Sequence, residues 1–139
     1  MLKVPAAWLC GVRIKKLEGP VCGVSVRHRW INQNPFNSLY FAVQAMAAEL
    51  STGALVMKQV KESGRRISML VKSNTSTFTK KATGRILFTC EDGSLVQEAI
   101  EKAVLTGEGQ TLWMSSRGRN EEGVEVSDFN FEWTLKLKD

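Results

Sequence analysis

One acidic side chain stands alone in an apolar stretch. Asn37 to Gly53 reads NSLYFAVQAMAAELSTG, and its single carboxylate is Glu49. A helix that is hydrophobic on all sides is normally buried. A carboxylate on it is costly unless it is paired or used. Burial also raises its pKa toward that of a useful general base. Glu49 is therefore the candidate reactive group, set against the plainer reading of a structural acid paired with a strand Arg or Lys. Asn34 precedes Pro35, where an Asn is most simply a turn residue. His28 falls on an apolar strand face, and there a hydrogen-bonded core histidine outweighs a catalytic base. Gln44, the other polar group of the helix, reads as a packing or interface residue.

Lys80, Lys81 and Arg85 cluster in one connection, and Arg65-Arg66 opens the segment before it. Such cations can hold phosphates through charge-assisted hydrogen bonds, or merely decorate an exposed hairpin. The net charge of +5 is unevenly spread. Residues 58–85 carry eight basic groups and one acid, whereas residues 86–139 carry five basic groups against eleven acids. That field suits an anionic partner, either a nucleotide-bearing small molecule or nucleic acid. Nucleic-acid binding wants aromatics interleaved with exposed basic groups. Phe129, Phe131 and Trp133 instead share a stripe with Leu135 and Leu137, which reads as core and argues against it. Cys10, Cys22 and Cys90 form no CxxC pair and the chain has one His. These are too few ligands for zinc, so we expect buried reduced thiols, no metal and no cofactor.

The elements that must position these groups follow from periodicity. A chain of 139 residues is large enough for one domain with a real core. Residues 11–17 read as a short strand ending at Gly19-Pro20. From Cys22 to Trp30 the pattern alternates, with Cys22, Val24, Val26, His28 and Trp30 on one face. Asn37 or Ser38 is a good N-cap, and the helix is expected to reach about Ser51, with Gly53 near its end. Residues 66–79 read as a long strand, and Lys80 to Gly84 as a hairpin connection into Arg85–Cys90. Ser94 to Val104 forms a second, smaller helix, opened by a Ser94-x-x-Gln97 capping box and packed on the outside of the sheet. Gln110–Arg117 and the strictly alternating Phe129–Leu137 complete the strands. Val124 and Val126 have the opposite parity to Phe129, which predicts a bulge near Ser127-Asp128. No stretch approaches the roughly 20 apolar residues of a membrane span. Val4–Cys10 is too short for a secretory segment, which predicts a cytoplasmic protein.

The run from Asn34 through Glu49, with this order of elements, resembles the hotdog-fold acyl-CoA thioesterases, and most of all their phenylacetate-type branch. The resemblance implies an α+β fold in which an antiparallel sheet of about six strands wraps one long central helix. Asn34 and Glu49 fall on the family's Asn and acid positions, which implies catalytic roles: Asn34 holding the loop or orienting water, Glu49 as base or nucleophile. The stretch Phe78 to Gly84 is similar to the family's aromatic, basic turn. The family's His-Gly-Gly or Gly-Gly is replaced here by Tyr40, Phe41 and Ala42, and the bulky Phe41 either narrows the backbone approach or points elsewhere. A helix N-terminus supplies unpaired N–H groups to polarise a thioester carbonyl, here around Phe41 to Val43. Glu49 lies roughly 12 Å further along at 1.5 Å per residue. It is too distant to serve its own helix's N-terminus, so the resemblance implies a homodimer, with a dimer of dimers as an extension. The expected substrate is an acyl thioester such as acyl-CoA, bound by Tyr40, Phe41, Ala42, Lys80, Lys81 and Arg85. The competing reading is a non-catalytic acyl-thioester or fatty-acyl binding protein on the same fold.

Overall fold

The computed structural model describes residues 4–138. In chain order the elements are α1 (Pro5–Leu9), β1 (Arg13–Glu18), β2 (Val21–Arg27), a 3-10 turn (Trp30–Asn32), α2 (Phe41–Ser63), β3 (Ile67–Phe78), β4 (Arg85–Cys90), α3 (Gly93–Thr106), β5 (Gln110–Arg119) and β6 (Glu125–Leu137). The strands form one six-stranded sheet in the order β1-β2-β4-β5-β6-β3. Every neighbouring pair is antiparallel. The sheet wraps α2, which packs against β1, β2, β4, β5 and β6. This is the expected hotdog architecture.

The central helix is longer than its sequence suggests. It runs 23 residues and starts after Tyr40 rather than after Asn37 or Ser38. It ends at Gly64, whose φ of 70° is that of a left-handed C-cap. Gly53 lies inside it. There the Trp133 ring sits 3.3 Å from where a side-chain carbon would stand, so the glycine makes room for an aromatic rather than stopping the helix. Leu50 through Val56 are all buried, as a helix apolar on all sides requires. Ser51 and Thr52 stay in the helix by bonding back to the Ala48 and Glu49 carbonyls at 2.6 Å and 2.8 Å, a habit of hydroxyl residues in helix interiors.

Four other local expectations change. The alternation of β2 ends at Arg27, and Trp30 is 84% exposed instead of core-facing. The buried Asn32 side chain causes this, accepting the Arg29 N–H at 2.7 Å and donating to the Arg27 carbonyl at 2.9 Å. Residues 79–84 do not close a hairpin, because β3 pairs with β6 at the far edge while β4 pairs with β2 and β5. α3 packs against α2 as well as β5 and β6, so it lies on the inner side of the sheet. Asp92 rather than Ser94 is its N-cap, and that carboxylate accepts the Ser115 N–H at 2.8 Å.

The bulge falls where parity demands one. Gly118 pairs with Ser127 but Arg119 pairs with Glu125, leaving Val126 as the extra residue. Val126 and Ser127 are consequently both buried. Cys22 and Cys90 face each other in register across β2 and β4, both buried and both free. At the opposite edge β3 presents 12 residues whose outer side has no strand partner, and every residue from Lys72 to Phe78 is exposed. Among the described residues, no helix is long and apolar enough to cross a membrane.

Candidate functional site

The loop before α2 is built from asparagines. Asn34 Oδ1 accepts the N–H groups of Phe36 at 2.9 Å and Ser38 at 3.2 Å, and its Nδ2 reaches Ser38 Oγ at 3.0 Å and the Leu39 carbonyl at 3.3 Å. Asn37 takes a φ of 61°, a left-handed conformation that Asn tolerates better than most residues. The Leu39 N–H donates to the Ala82 carbonyl at 2.9 Å, tying this loop to the connection after β3. The structure thus spends both ends of the Asn34 carboxamide on shaping the loop.

That loop delivers the chain to the start of α2. Tyr40 is the N-cap and supplies no side-chain cap; the Tyr40 carbonyl takes the N–H groups of Val43 and Gln44 at 3.0 Å and 3.2 Å. Phe41 and Ala42 occupy the first two helical positions, whose N–H groups have no intrahelical acceptor. Beside them opens a cavity of about 390 Å³. Phe36, Leu39, Phe41, Phe78 and Ala82 make its apolar walls; Asn34, Ser38 and Gln44 line it with polar groups; Lys80 and Lys81 stand at its rim. Phe41 meets Phe78 edge to face at 6.5 Å and Tyr40 at 5.2 Å. Phe41, bulky at the helix start, is therefore a wall of the cavity, and the space beside the helix end stays open.

The expected site residues divide. Asn34, Phe41, Lys80 and Lys81 come together on the cavity, whereas Tyr40 and Ala42 border the helix end without lining it. Lys81 Nζ donates to the Phe36 carbonyl at 3.3 Å. Arg85 departs from the cluster: its neighbour Ile86 faces the core, so Arg85 projects from the outer face of the sheet, in register with Arg27. Glu49 is also away from the cavity, on the face of α2 that the sheet leaves uncovered, along with Phe41 and the half-buried Ala42, Ala45 and Met46. It makes no ion pair or hydrogen bond with a described residue through its carboxylate. Although its side chain reaches solvent in a lone copy of the chain, the packed atoms around it desolvate the carboxyl and raise its pKa.

His28 Nε2 lies 3.2 Å from Gln33 Oε1, a satisfied half-buried histidine away from the cavity. Burial pushes the Cys22 thiol up to about 11 and the Cys90 thiol up to about 12. Since the thiolate is the reactive form, neither is a ready nucleophile. No group of three or more His, Cys, Asp or Glu among the described residues could hold a metal ion. Sequence reasoning missed Phe36, Ser38, Leu39, Phe78 and Ala82 as cavity walls and gave Gln44 a packing or interface role. The available signal was a long polar side chain turned inward near the start of an apolar helix.

The family described as "Domain of unknown function (DUF4442)" matches residues 1–135. The chain belongs to the DUF4442 family. No curated protein matches it by sequence. Among solved structures, one similar to this DUF4442 chain is a Pseudomonas aeruginosa protein of unknown function described as a probable thioesterase. It is 23% identical, with a TM-score of 0.86, covering 98% of this chain and 89% of that one. A thioesterase from Staphylococcus aureus, solved with a glutamine replaced by alanine, is 13% identical at a TM-score of 0.75, covering 95% and 98%. The same S. aureus protein with a glutamate replaced by alanine is 12% identical at 0.71, covering 96% and 99%. At these identities the likeness establishes the hotdog fold, and the fold alone, for this DUF4442 chain.

Proposed function

We propose that the protein hydrolyses acyl thioesters, acyl-CoA among them, in the cavity beside the N-terminus of α2, with Glu49 supplied by a second copy of the chain. The observation that carries this reading is an aromatic-walled cavity opening beside the uncapped first turn of a buried helix, with two lysines at its rim. The helix-end N–H groups are suited to the thioester carbonyl oxygen, where negative charge develops. Lys80 and Lys81 are suited to phosphates of the thiol carrier. Arg85, on the outer face, could serve only a carrier that reaches around the sheet edge. Asn34 acts by holding the loop.

Glu49 as general base takes a proton from water, and the water oxygen adds to the carbonyl carbon. The C–S bond then breaks and the sulfur leaves as the thiol after taking a proton, releasing the free acid. Glu49 cannot do this in its own subunit, since it lies about 12 Å along the helix from Phe41. Two open surfaces support a homodimer: the unpaired edge of β3, able to continue the sheet into a second copy, and the uncovered face of α2 that carries Glu49.

The experiment is thiol release from short, long and aromatic acyl-CoA thioesters by wild type and Glu49→Gln. A fall of about two orders of magnitude or more in the variant is the expected result. Equal turnover removes Glu49 from the mechanism, and an active monomer removes the second subunit. Binding without turnover in either protein favours the non-catalytic acyl-thioester binder.

A further inference from the structure

Three large apolar side chains on the loop between β2 and α2 belong to no core: Trp30, Ile31 and Phe36 are 84%, 59% and 68% exposed. The exposure of Trp30 is built in. Had β2 kept its alternation past Arg27, Trp30 would face inward with Val24 and Val26. The buried Asn32 prevents this, accepting the Arg29 N–H at 2.7 Å and donating to the Cys10 and Arg27 carbonyls, each at 2.9 Å. The chain leaves the sheet in the 3-10 turn Trp30–Asn32, which carries Trp30 and Ile31 outward. With Pro35 they line a surface recess of about 450 Å³, and Asn34 borders both that recess and the cavity beside α2.

The charge around this loop is one-sided. Residues 19–48 and 63–90 contain no Asp or Glu. The loop is tied to the connection after β3 by the His28 N–H on the Gly84 carbonyl at 2.8 Å and by Lys81 Nζ on the Phe36 carbonyl at 3.3 Å. Arg27, Arg29, Lys80, Lys81 and Arg85 are thereby gathered at one end of the molecule, all exposed. Of the acids, Glu121 reaches this end, where it accepts the Arg85 N–H at 3.2 Å. Exposed apolar groups held together on a surface mark an interaction site.

We propose that this loop docks the protein on the surface of an anionic lipid bilayer, without crossing it. Trp30 and Ile31 enter the boundary between headgroups and acyl chains, where an indole fits because its ring is apolar and its N–H polar. The surrounding Arg and Lys side chains meet lipid phosphates, an attraction that salt weakens. A protein partner needs roughly 800 Å² of matched surface on each side. A fluid bilayer instead moulds itself around three side chains on one loop. Because Asn34 borders both the recess and the cavity, docking turns the cavity mouth toward the lipid. The docking itself does not depend on thioester hydrolysis.

The test is co-sedimentation of the full chain with vesicles of phosphatidylcholine, alone or mixed with phosphatidylglycerol at roughly one part in three. The mixed vesicles should bind it about tenfold or more tightly than phosphatidylcholine alone, and added salt should release it. The double variant Trp30→Ser, Ile31→Ser should weaken that binding about tenfold or more and keep the oligomeric state of wild type. Trp30→Phe retains an apolar tip if the serine variant does not fold, and it is read by fluorescence. Wild type should show a blue shift on adding mixed vesicles, and Trp30→Phe should not. A shift that persists comes from another exposed indole, Trp8 or Trp113, and overturns the proposal. Equal binding to both vesicles, binding to neither, or a serine variant that binds like wild type also overturns it. If the serine variant dissociates a dimer, the loop belongs to an interface between copies and the docking reading falls. No thioester is present, so each outcome is separate from the hydrolase reading.

Discussion

The indole N–H of Trp133 on β6 donates to the hydroxyl of Thr52 on α2 across 3.0 Å, inside the core. It joins the last strand to the middle of the central helix, one residue before the glycine that admits the same ring. Thr52→Val keeps the shape and removes the acceptor, leaving a buried N–H unpaired at a cost of about 1–3 kcal/mol. Thr52→Ser retains the hydroxyl and should lose less. Urea unfolding of the two variants makes the comparison, and equal losses would show that the bond contributes little.

On the proposed role, Glu49 should move stability and activity in opposite directions with pH. Its folded pKa is raised by desolvation, so the folded chain holds that proton to higher pH than the unfolded chain does. Between the ordinary carboxylate value and the raised one, the folded state binds more protons, and this group's contribution to stability falls as pH rises. A general base needs the ionised form, so turnover should climb through the same window. The acid limb of kcat/KM should therefore lie above the ordinary carboxylate range, while Glu49→Gln loses both the limb and this group's share of the stability slope. A limb at the ordinary value would assign it to another group.

Gln44 carries a stability prediction. Gln44→Leu replaces an amide whose buried Oε1 has no hydrogen-bond partner with hydrocarbon of similar size. It should raise the free energy of unfolding by about 1 kcal/mol, the lower end of the cost of an orphaned polar group. Thermal or denaturant unfolding reads this without any ligand. A destabilised variant would mean that the carboxamide finds a partner in solution.

The open edge of β3 carries the assembly prediction. Thr75 and Thr77 are exposed on this strand, whose outer side has no strand partner among the described residues. The double variant Thr75→Lys, Thr77→Lys sets like charges against each other in a symmetric pairing whose two-fold axis passes near residues 75–77, which is unfavourable. Light scattering should show monomers where wild type shows dimers, and thioester turnover should fall with the dimer because Glu49 no longer meets a cavity. A variant that remains dimeric would place the interface elsewhere.

The sheet and the central helix were legible because their patterns are local. Alternation from Phe129 to Leu137 and the change of parity at Val126 are visible in a line of text. The errors came where a side chain answers to something distant. Ser51-Thr52-Gly53 reads as a helix end until Ser51 is seen bonded to Ser116 on β5 at 2.7 Å and Gly53 against Trp133. Lys80 to Gly84 reads as a hairpin because the placing of β3 beside β6 is a choice of partners, which periodicity does not encode. Asn32 ended β2 early by capturing backbone at both ends of its carboxamide. The candidate site was partly legible: Asn34, Phe41, Lys80 and Lys81 meet at one cavity, but Arg85 is turned outward and the inward turn of Gln44 depends on packing that periodicity does not encode.

The facing thiols of Cys22 and Cys90 have a kinetic consequence. Packed in the core and held protonated through the neutral range, they are closed to alkylating reagents until β2 and β4 part. The half-buried Cys10 lies outside that pair. Labelling should therefore proceed in two phases, one set by local fluctuation near α1 and one by opening of the sheet centre. The slow phase gives the opening rate of the native molecule in plain buffer, with no denaturant added.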